Sequence, residues 1–147
     1  MADMKKILDS KGYTFYFIPP LASVMEALRM LDQRKVGLLL VMDGERLEGV
    51  FSERDAVRIL VQSGPSALER PLHEVMSSPR HTVTLATKVD ACMSLMSQHG
   101  IRHVPVLDGR MVVGVVSIKD VVRELVADKE AEIKGLENAL VSGEFPT

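Results

Sequence analysis

The sequence predicts an α+β fold made of two copies of a small β-sheet with two helices, related by a pseudo-twofold axis. Three observations predict it. Asp43 and Asp108, Gly49 and Gly114, Ser52 and Ser117, and Asp55 and Asp120 are each separated by 65 residues, so the chain is an internal duplication that aligns without a gap. Each copy carries an Asp-Gly dipeptide between two apolar runs, the signal of a β-hairpin whose two turn residues take positive φ. Each hairpin then runs into Ser-x-x-Asp, the spacing at which a serine and an acidic residue open a helix. A half of this size cannot bury both faces of its own sheet, so two copies packed together, with clefts between them, are expected.

In chain order, Met4 to Ser10 is a short polar helix closed by Lys11-Gly12, expected to serve as a lid or a dimer element. Tyr13 to Ile18 is an aromatic, β-favouring strand closed by Pro19-Pro20. Ser23 and Glu26 form a capping box, and Val24, Ala27, Leu28 and Leu31 share one helical face up to about Lys35. Val36 to Met42 and Leu47 to Phe51 are the hairpin strands, and the helix opened by Ser52 runs to about Gln62. Ser63 to Arg80, with three prolines and several serines, reads as a connection holding one helical turn at Leu72 to Met76. The pattern then returns: a strand at Val83 to Leu85, a helix whose face is Val89, Cys92, Met93 and Met96, strands at Val104 to Leu107 and Met111 to Val116, and a helix from Ser117. That last helix continues to Val141 with Leu125, Ile133, Leu136 and Leu140 in register, a face suited to a partner subunit. The units are therefore an N-terminal helix at 1–12, a first repeat at 13–65, a linker at 66–80, a second repeat at 81–128 and a helical tail at 129–147.

Composition narrows the function. Lys plus Arg number 18 against 20 Asp plus Glu, so the basic excess of a general nucleic-acid binder is missing and any anion site must be local. One cysteine, Cys92, excludes an intrachain disulfide and suits a reducing compartment. No apolar stretch approaches a membrane span and the N-terminus has no signal-like apolar region, so a cytoplasmic protein is expected. Glycine-rich phosphate loops, H-E-x-x-H and G-x-S-x-G are absent, which leaves no catalytic constellation and no enzyme expected.

The repeated unit ending in GVFSERD (Gly49 to Asp55) and GVVSIKD (Gly114 to Asp120), with GIRHVPV at Gly100 to Val106, resembles the CBS domain, and two in tandem are similar to a CBS pair, or Bateman module. Stand-alone bacterial proteins of this kind have the same length and extent. The resemblance implies a regulatory module, commonly a homodimer, that binds an adenine nucleotide between its repeats: AMP, ATP or NAD(H), ahead of S-adenosylmethionine. Physical chemistry fits that expectation. Asp55 and Asp120, each in the first turn of a helix, can accept two hydrogen bonds from a ribose diol. Ser52 and Ser117 lie beside free N–H groups at a helix N-terminus, where a phosphate is favoured, and Arg54 and Lys119 hold equivalent places beside them. The resemblance further implies that Arg102 and His103, preceding Val104 and Pro105, reach phosphate groups, and that Val83, Thr84 and Ile18 flank the adenine.

The second cleft is the better equipped, with Arg102 and His103 at one end and Ser117, Lys119 and Asp120 at the other. Gly37 and Leu38 stand where it has Arg102 and His103. The first cleft is thus empty, or it uses Arg54 and cations from the other copy, or the bare Gly37 admits a larger adenine dinucleotide. Ser-x-x-Asp is also a plain helix cap worth about 1 kcal/mol, which keeps a ligand-independent interaction module as the alternative. His99 and His103 are separated by Gly100, and His73 and His81 are dispersed, so no metal site is expected. Cys92, with Met25, Met30, Met93 and Met96, reads as helix packing.

Overall fold

The structure, a computed structural model, describes residues 1–142, with side chains as far as Val141. Two three-stranded sheets carry the duplication, ordered β1-β2-β3 and β4-β5-β6. β2 (Leu38–Asp43) and β3 (Arg46–Ser52) repeat 65 residues later as β5 (His103–Asp108) and β6 (Met111–Ser117). Within each hairpin a bulge falls at the same place, leaving Glu48 unpaired in one and Val113 in the other.

The turns differ from expectation. Asp43 pairs with Arg46 and Asp108 with Met111, so the turn residues are Gly44-Glu45 and Gly109-Arg110. Positive φ falls on the glycines alone, 61° and 64°, which is the Gly-first class of two-residue hairpin. The strand expected over Tyr13 to Ile18 shrinks to β1 (Phe17–Ile18), paired parallel to β2 through Phe17–Leu40 and Ile18–Val41. Pro19 has no N–H to extend it. Its counterpart in the second copy is Thr84, and β4 (Val83–Thr84) accordingly runs one residue further, to the pair Thr84–Leu107.

Both faces of each sheet are covered, which explains why the strands read as nearly continuous apolar runs. Leu39, Val41 and Phe51 point to the helical side, against α2 (Val24–Arg34) and α3 (Glu53–Ser63). Leu40 and Met42 point the other way and meet Val112 of the second sheet, with Leu38, Val50, Leu107 and Val115 around them. In the second copy Val104, Val106 and Val116 back onto α5 (Val89–His99) and α6 (Ile118–Ser142) with Cys92 and Met96. Cys92 is fully buried, as its place on the helical face requires.

The helix expected as a lid or dimer element is part of the core. Met4, Ile7 and Leu8 of α1 (Met4–Lys11) are buried in the cluster of the second copy, and Met4 donates its N–H to Thr87 at 3.0 Å while Val89 donates to Ala2 at 3.0 Å. The proline-rich connection supplies the matching piece to the first copy. After a 3₁₀ helix at Gly64–Glu69, α4 (Leu72–Val75) buries Leu72 and Val75 against the first cluster, and Leu72 donates to Ala22 at 2.9 Å. Each copy is thus completed by the helix that precedes the other copy in sequence.

α6 runs without a break to Ser142, so residue 128 lies inside it, and 143–147 of the expected tail fall outside the described residues. Leu125, Ile133, Leu136 and Leu140 keep one helical face, of which Leu125 packs on its own core while Ile133, Leu136 and Leu140 are exposed. Among the described residues no helix is long and apolar enough to cross a membrane.

The close approach of each lead helix to its sheet is testable at two glycines. A Cβ at Gly49 would lie 2.9 Å from the Ser77 carbonyl oxygen, a backbone atom, as well as against Met76; at Gly114 it would meet only the Leu8 side chain, at 2.9 Å. Gly49→Ala should therefore lower the urea-unfolding free energy by about 1–3 kcal/mol, and Gly114→Ala by less, since a leucine can shift its rotamer. Equal losses at the two sites would contradict this account of the packing.

Candidate functional site

The helix openings behave alike in both copies. Ser52 donates its N–H and Oγ–H to Asp55 Oδ2 at 2.9 and 3.0 Å, and its Oγ accepts the Asp55 N–H at 3.2 Å. Ser117 and Asp120 repeat this at 2.9, 3.0 and 3.3 Å. The first N–H of each helix is donated across to the chain before the hairpin: Glu53 to the Gly37 carbonyl at 3.1 Å, Ile118 to the Arg102 carbonyl at 2.8 Å. Each helix N-terminus is thereby held at the mouth of a cleft between the sheets.

The first cleft, about 450 Å³, is lined by Ser52, Arg54 and Asp55 of the first copy together with Arg102, His103 and Pro105 of the second. Arg54 and cations from the other copy meet here. Arg54 bridges the two, donating from Nη1 to the Gly100 carbonyl at 3.1 Å. Arg80 and His81 add further basic groups, against Glu53 and Asp55 as the acidic ones. The His81 ring stacks on His99 with centroids 3.9 Å apart. Among the described residues no cluster of three or more His, Cys, Asp or Glu side chains is arranged to hold a metal ion.

The second cleft, about 330 Å³, is lined by Ser117 and Lys119 with Lys11, Lys35, Tyr16 and His103 among others. Arg102 does not line it. The single cleft expected to join Arg102 to Ser117, Lys119 and Asp120 is not formed, because the segment before β5 brings Arg102 to the cleft at the N-terminus of α3; Ser117 and Lys119 line the second cleft and Asp120 lines neither. His103 lines both. Its pKa is held below the ordinary histidine value, first by burial and then by the charge of Lys11, so the imidazole is neutral at pH 7.

Gly37 lines both clefts, with the His103 ring packed against it. A Cβ there would lie 2.9 Å from His103 Cε1, so the missing side chain makes room for the imidazole. Ile18 and Val83 are buried among core side chains and Thr84 is exposed with its N–H donated to Thr87 Oγ1 at 3.0 Å; none of the three lines either cleft, since the short parallel strands end on the helical side. Val104 is likewise core, while its neighbour Pro105 faces the first cleft.

The two aspartates differ in what remains free. Asp55 Oδ1 accepts from Arg58 at 2.9 Å and from Ser77 Oγ at 2.7 Å, so with Ser52 on Oδ2 all of its acceptor sites are taken. Asp120 has Lys11 on Oδ2 at 2.7 Å, and no donor among the described residues bonds to its Oδ1. Burial alone would raise the Asp120 pKa, but the hydrogen bonds from Lys11 and Ser117 outweigh it and hold the carboxyl below the usual range. Arg80, His81, Ser77, Lys11 and Lys35 escaped sequence reasoning. A second offset, Met4–Leu8 against Leu72–Met76, aligns the two lead helices at 68 residues and marks the segments that carry Lys11 and Ser77, but not Lys35.

Comparison with known proteins agrees with this architecture. The CBS domain family model matches residues 12–62 and again 72–127. A mitochondrial CBS domain-containing protein of Arabidopsis thaliana, CBSX3, is 34% identical over 128 residues, 84% of this chain and 62% of its own length, so the chain spans less than two thirds of that relative. The crystal structure of the CBS-domain protein ATU1752 from Agrobacterium tumefaciens superposes with a TM-score of 0.81 at 30% identity, covering 84% of this chain and 98% of that one. Two ligand-bound structures are also similar: the CBS pair of protein MJ0100 with 5′-methylthioadenosine and S-adenosyl-L-methionine (26% identity, TM-score 0.76, 87% and 98% covered) and PAE2072 from Pyrobaculum aerophilum with AMP (28%, 0.73, 85% and 98%). With the family model matched twice in tandem and the same two-sheet architecture, the chain belongs to the CBS-domain family as a CBS pair.

Proposed function

We propose that this CBS pair is a cytoplasmic regulatory module that binds an adenosine-containing ligand in the clefts between its repeats, AMP, ATP or NAD(H) ahead of S-adenosylmethionine. The observation that carries the reading is the first cleft, where the N-terminus of α3 from one copy faces Arg102 and His103 of the other, with Arg54 and Arg80 beside them. Three guanidinium groups and a helix N-terminus favour a phosphate over a sulfonium cation. The AMP, S-adenosylmethionine and 5′-methylthioadenosine complexes of similar CBS pairs support the adenosine class. Beside the second cleft Asp120, bonded to the lining residues Ser117 and Lys11 and with an open Oδ1, is the ribose acceptor. A ligand touching both copies stabilises the arrangement it fits, and shifts it by no more than its differential affinity for the alternatives. No catalysis is part of this role: burial pushes the Cys92 thiol up to about 11, far from a thiolate nucleophile.

A homodimer belongs to the same proposal. Val57 and Val61 on α3 and their counterparts Val122 and Val126 on α6 are all exposed, 62%, 80%, 43% and 49%, so the duplication repeats an apolar pair on its outer surface. This face also supports the alternative role, a protein-interaction or dimerisation module without a ligand.

Thermal melts with AMP, ATP, NADH and S-adenosylmethionine test the ligand. A compound at about 100 times its dissociation constant adds about 2.7 kcal/mol of stability. Arg102→Ala should weaken binding in the first cleft with a near-native unliganded melt, and Asp120→Ala should abolish it in the second with the unliganded fold less stable by about 1 kcal/mol through loss of the helix cap. No shift with any of the four would leave the interaction module as the role. For the dimer, light scattering should report twice the chain mass, falling to one chain in Val61→Glu/Val126→Glu; a wild-type monomer at tens of micromolar would refute it.

A further inference from the structure

We propose that Lys11 makes the second cleft selective for adenosine ligands that carry negative charge. The inference rests on the nucleotide-binding reading of that cleft and adds which ligands it accepts. Lys11 Nζ donates to Asp120 Oδ2 at 2.7 Å and to the Val115 carbonyl at 2.9 Å. The equivalent acceptors in the first copy are Asp55 and the Val50 carbonyl, and both are served by Ser77: its Oγ donates to Asp55 Oδ1 at 2.7 Å and its N–H to Val50 at 2.9 Å. One copy thus uses a neutral hydroxyl and amide where the other uses an ammonium.

The difference comes from helix length. α4 stops at Val75 and lets the chain bridge to β3 at Ser77, whereas α1 continues to Lys11 and precludes an equivalent bridge. The lysine side chain then reaches back to fill the two vacant bonds.

A ribose diol that reaches Asp120 competes with Lys11 for Oδ2 and turns the ammonium toward the cleft that Lys11 lines. The freed ammonium shares the cleft lining with Lys35 and Lys119; Asp120 beside the cleft offsets one of these three charges, and no carboxylate is among the described residues that line the cleft itself. A phosphate on the ligand supplies the missing counter-charge. An uncharged nucleoside leaves three cations together in a confined site, which desolvation and like-charge repulsion oppose.

The test uses the full chain and proton NMR titration with AMP and with adenosine, following the ring resonances of Tyr16, which lines this cleft. AMP should bind more tightly than adenosine in the wild type. Lys11→Met should lower that ratio by about tenfold or more, the factor of one charge-assisted hydrogen bond, and Lys11→Arg should retain it. Lys11→Gln serves in place of Lys11→Met if the latter unfolds. An unchanged ratio in folded Lys11→Met or Lys11→Gln, with AMP still perturbing Tyr16, overturns the role of Lys11 and leaves the nucleotide site standing. No perturbation of Tyr16 by either ligand in the wild type removes the nucleotide reading of this cleft itself.

Discussion

The exchange of lead helices is the constraint on which the remaining structure depends. A three-stranded sheet with two helices leaves part of its helical side open, and each copy closes that gap with a helix drawn from the far end of the other. Leu8 seats over Gly114 and Met76 over Gly49, so close that neither glycine tolerates a Cβ without movement. Because α1 and α4 are committed to opposite copies, the chain cannot separate into two independent units without exposing Met4, Leu8, Leu72 and Val75. The two sheets are held face to face over Leu40, Met42 and Val112, and the clefts are the space left at the two ends of that contact.

The clefts are related by the duplication and yet chemically unlike. One is lined by arginines contributed from both copies and contains an aspartate whose acceptors are all engaged. The other is lined by lysines, and Asp120 behind Lys11 keeps one oxygen open. His103, neutral and packed against Gly37, is common to both. Lys35 contributes a further asymmetry: it adopts the left-handed conformation at the end of α2, φ 55°, where its counterpart Gly100 does so without a side chain. A cation is retained beside the second cleft at the cost of a strained backbone, about 1–2 kcal/mol.

Local chemistry made most of the elements legible. Ser23 with Glu26, Ser52 with Asp55 and Ser117 with Asp120 all form the bonds their spacing announces, because a helix cap is closed within four residues and needs nothing distant. The hairpins were legible for the same reason, although the turn glycine was placed one position late: Asp-Gly is compatible with two turn classes, and pairing of Asp43 with Arg46 selects between them. The parallel strands were harder to delimit, since their hydrogen bonds lie with a hairpin tens of residues away and Pro19 limits one of them.

By itself the sequence determined the duplication, the order of elements and the two capped helix starts, all of which follow from spacing and periodicity along the chain. Only the tertiary structure decided which residues meet across the pseudo-twofold axis. It sent Arg102 to the helix of Ser52 rather than that of Ser117, filled the space beside Gly37 with an imidazole, and brought Lys11 from the N-terminal helix to Asp120. Those encounters depend on how two sheets and two exchanged helices pack in three dimensions, a relation for which no local spacing carries a signal.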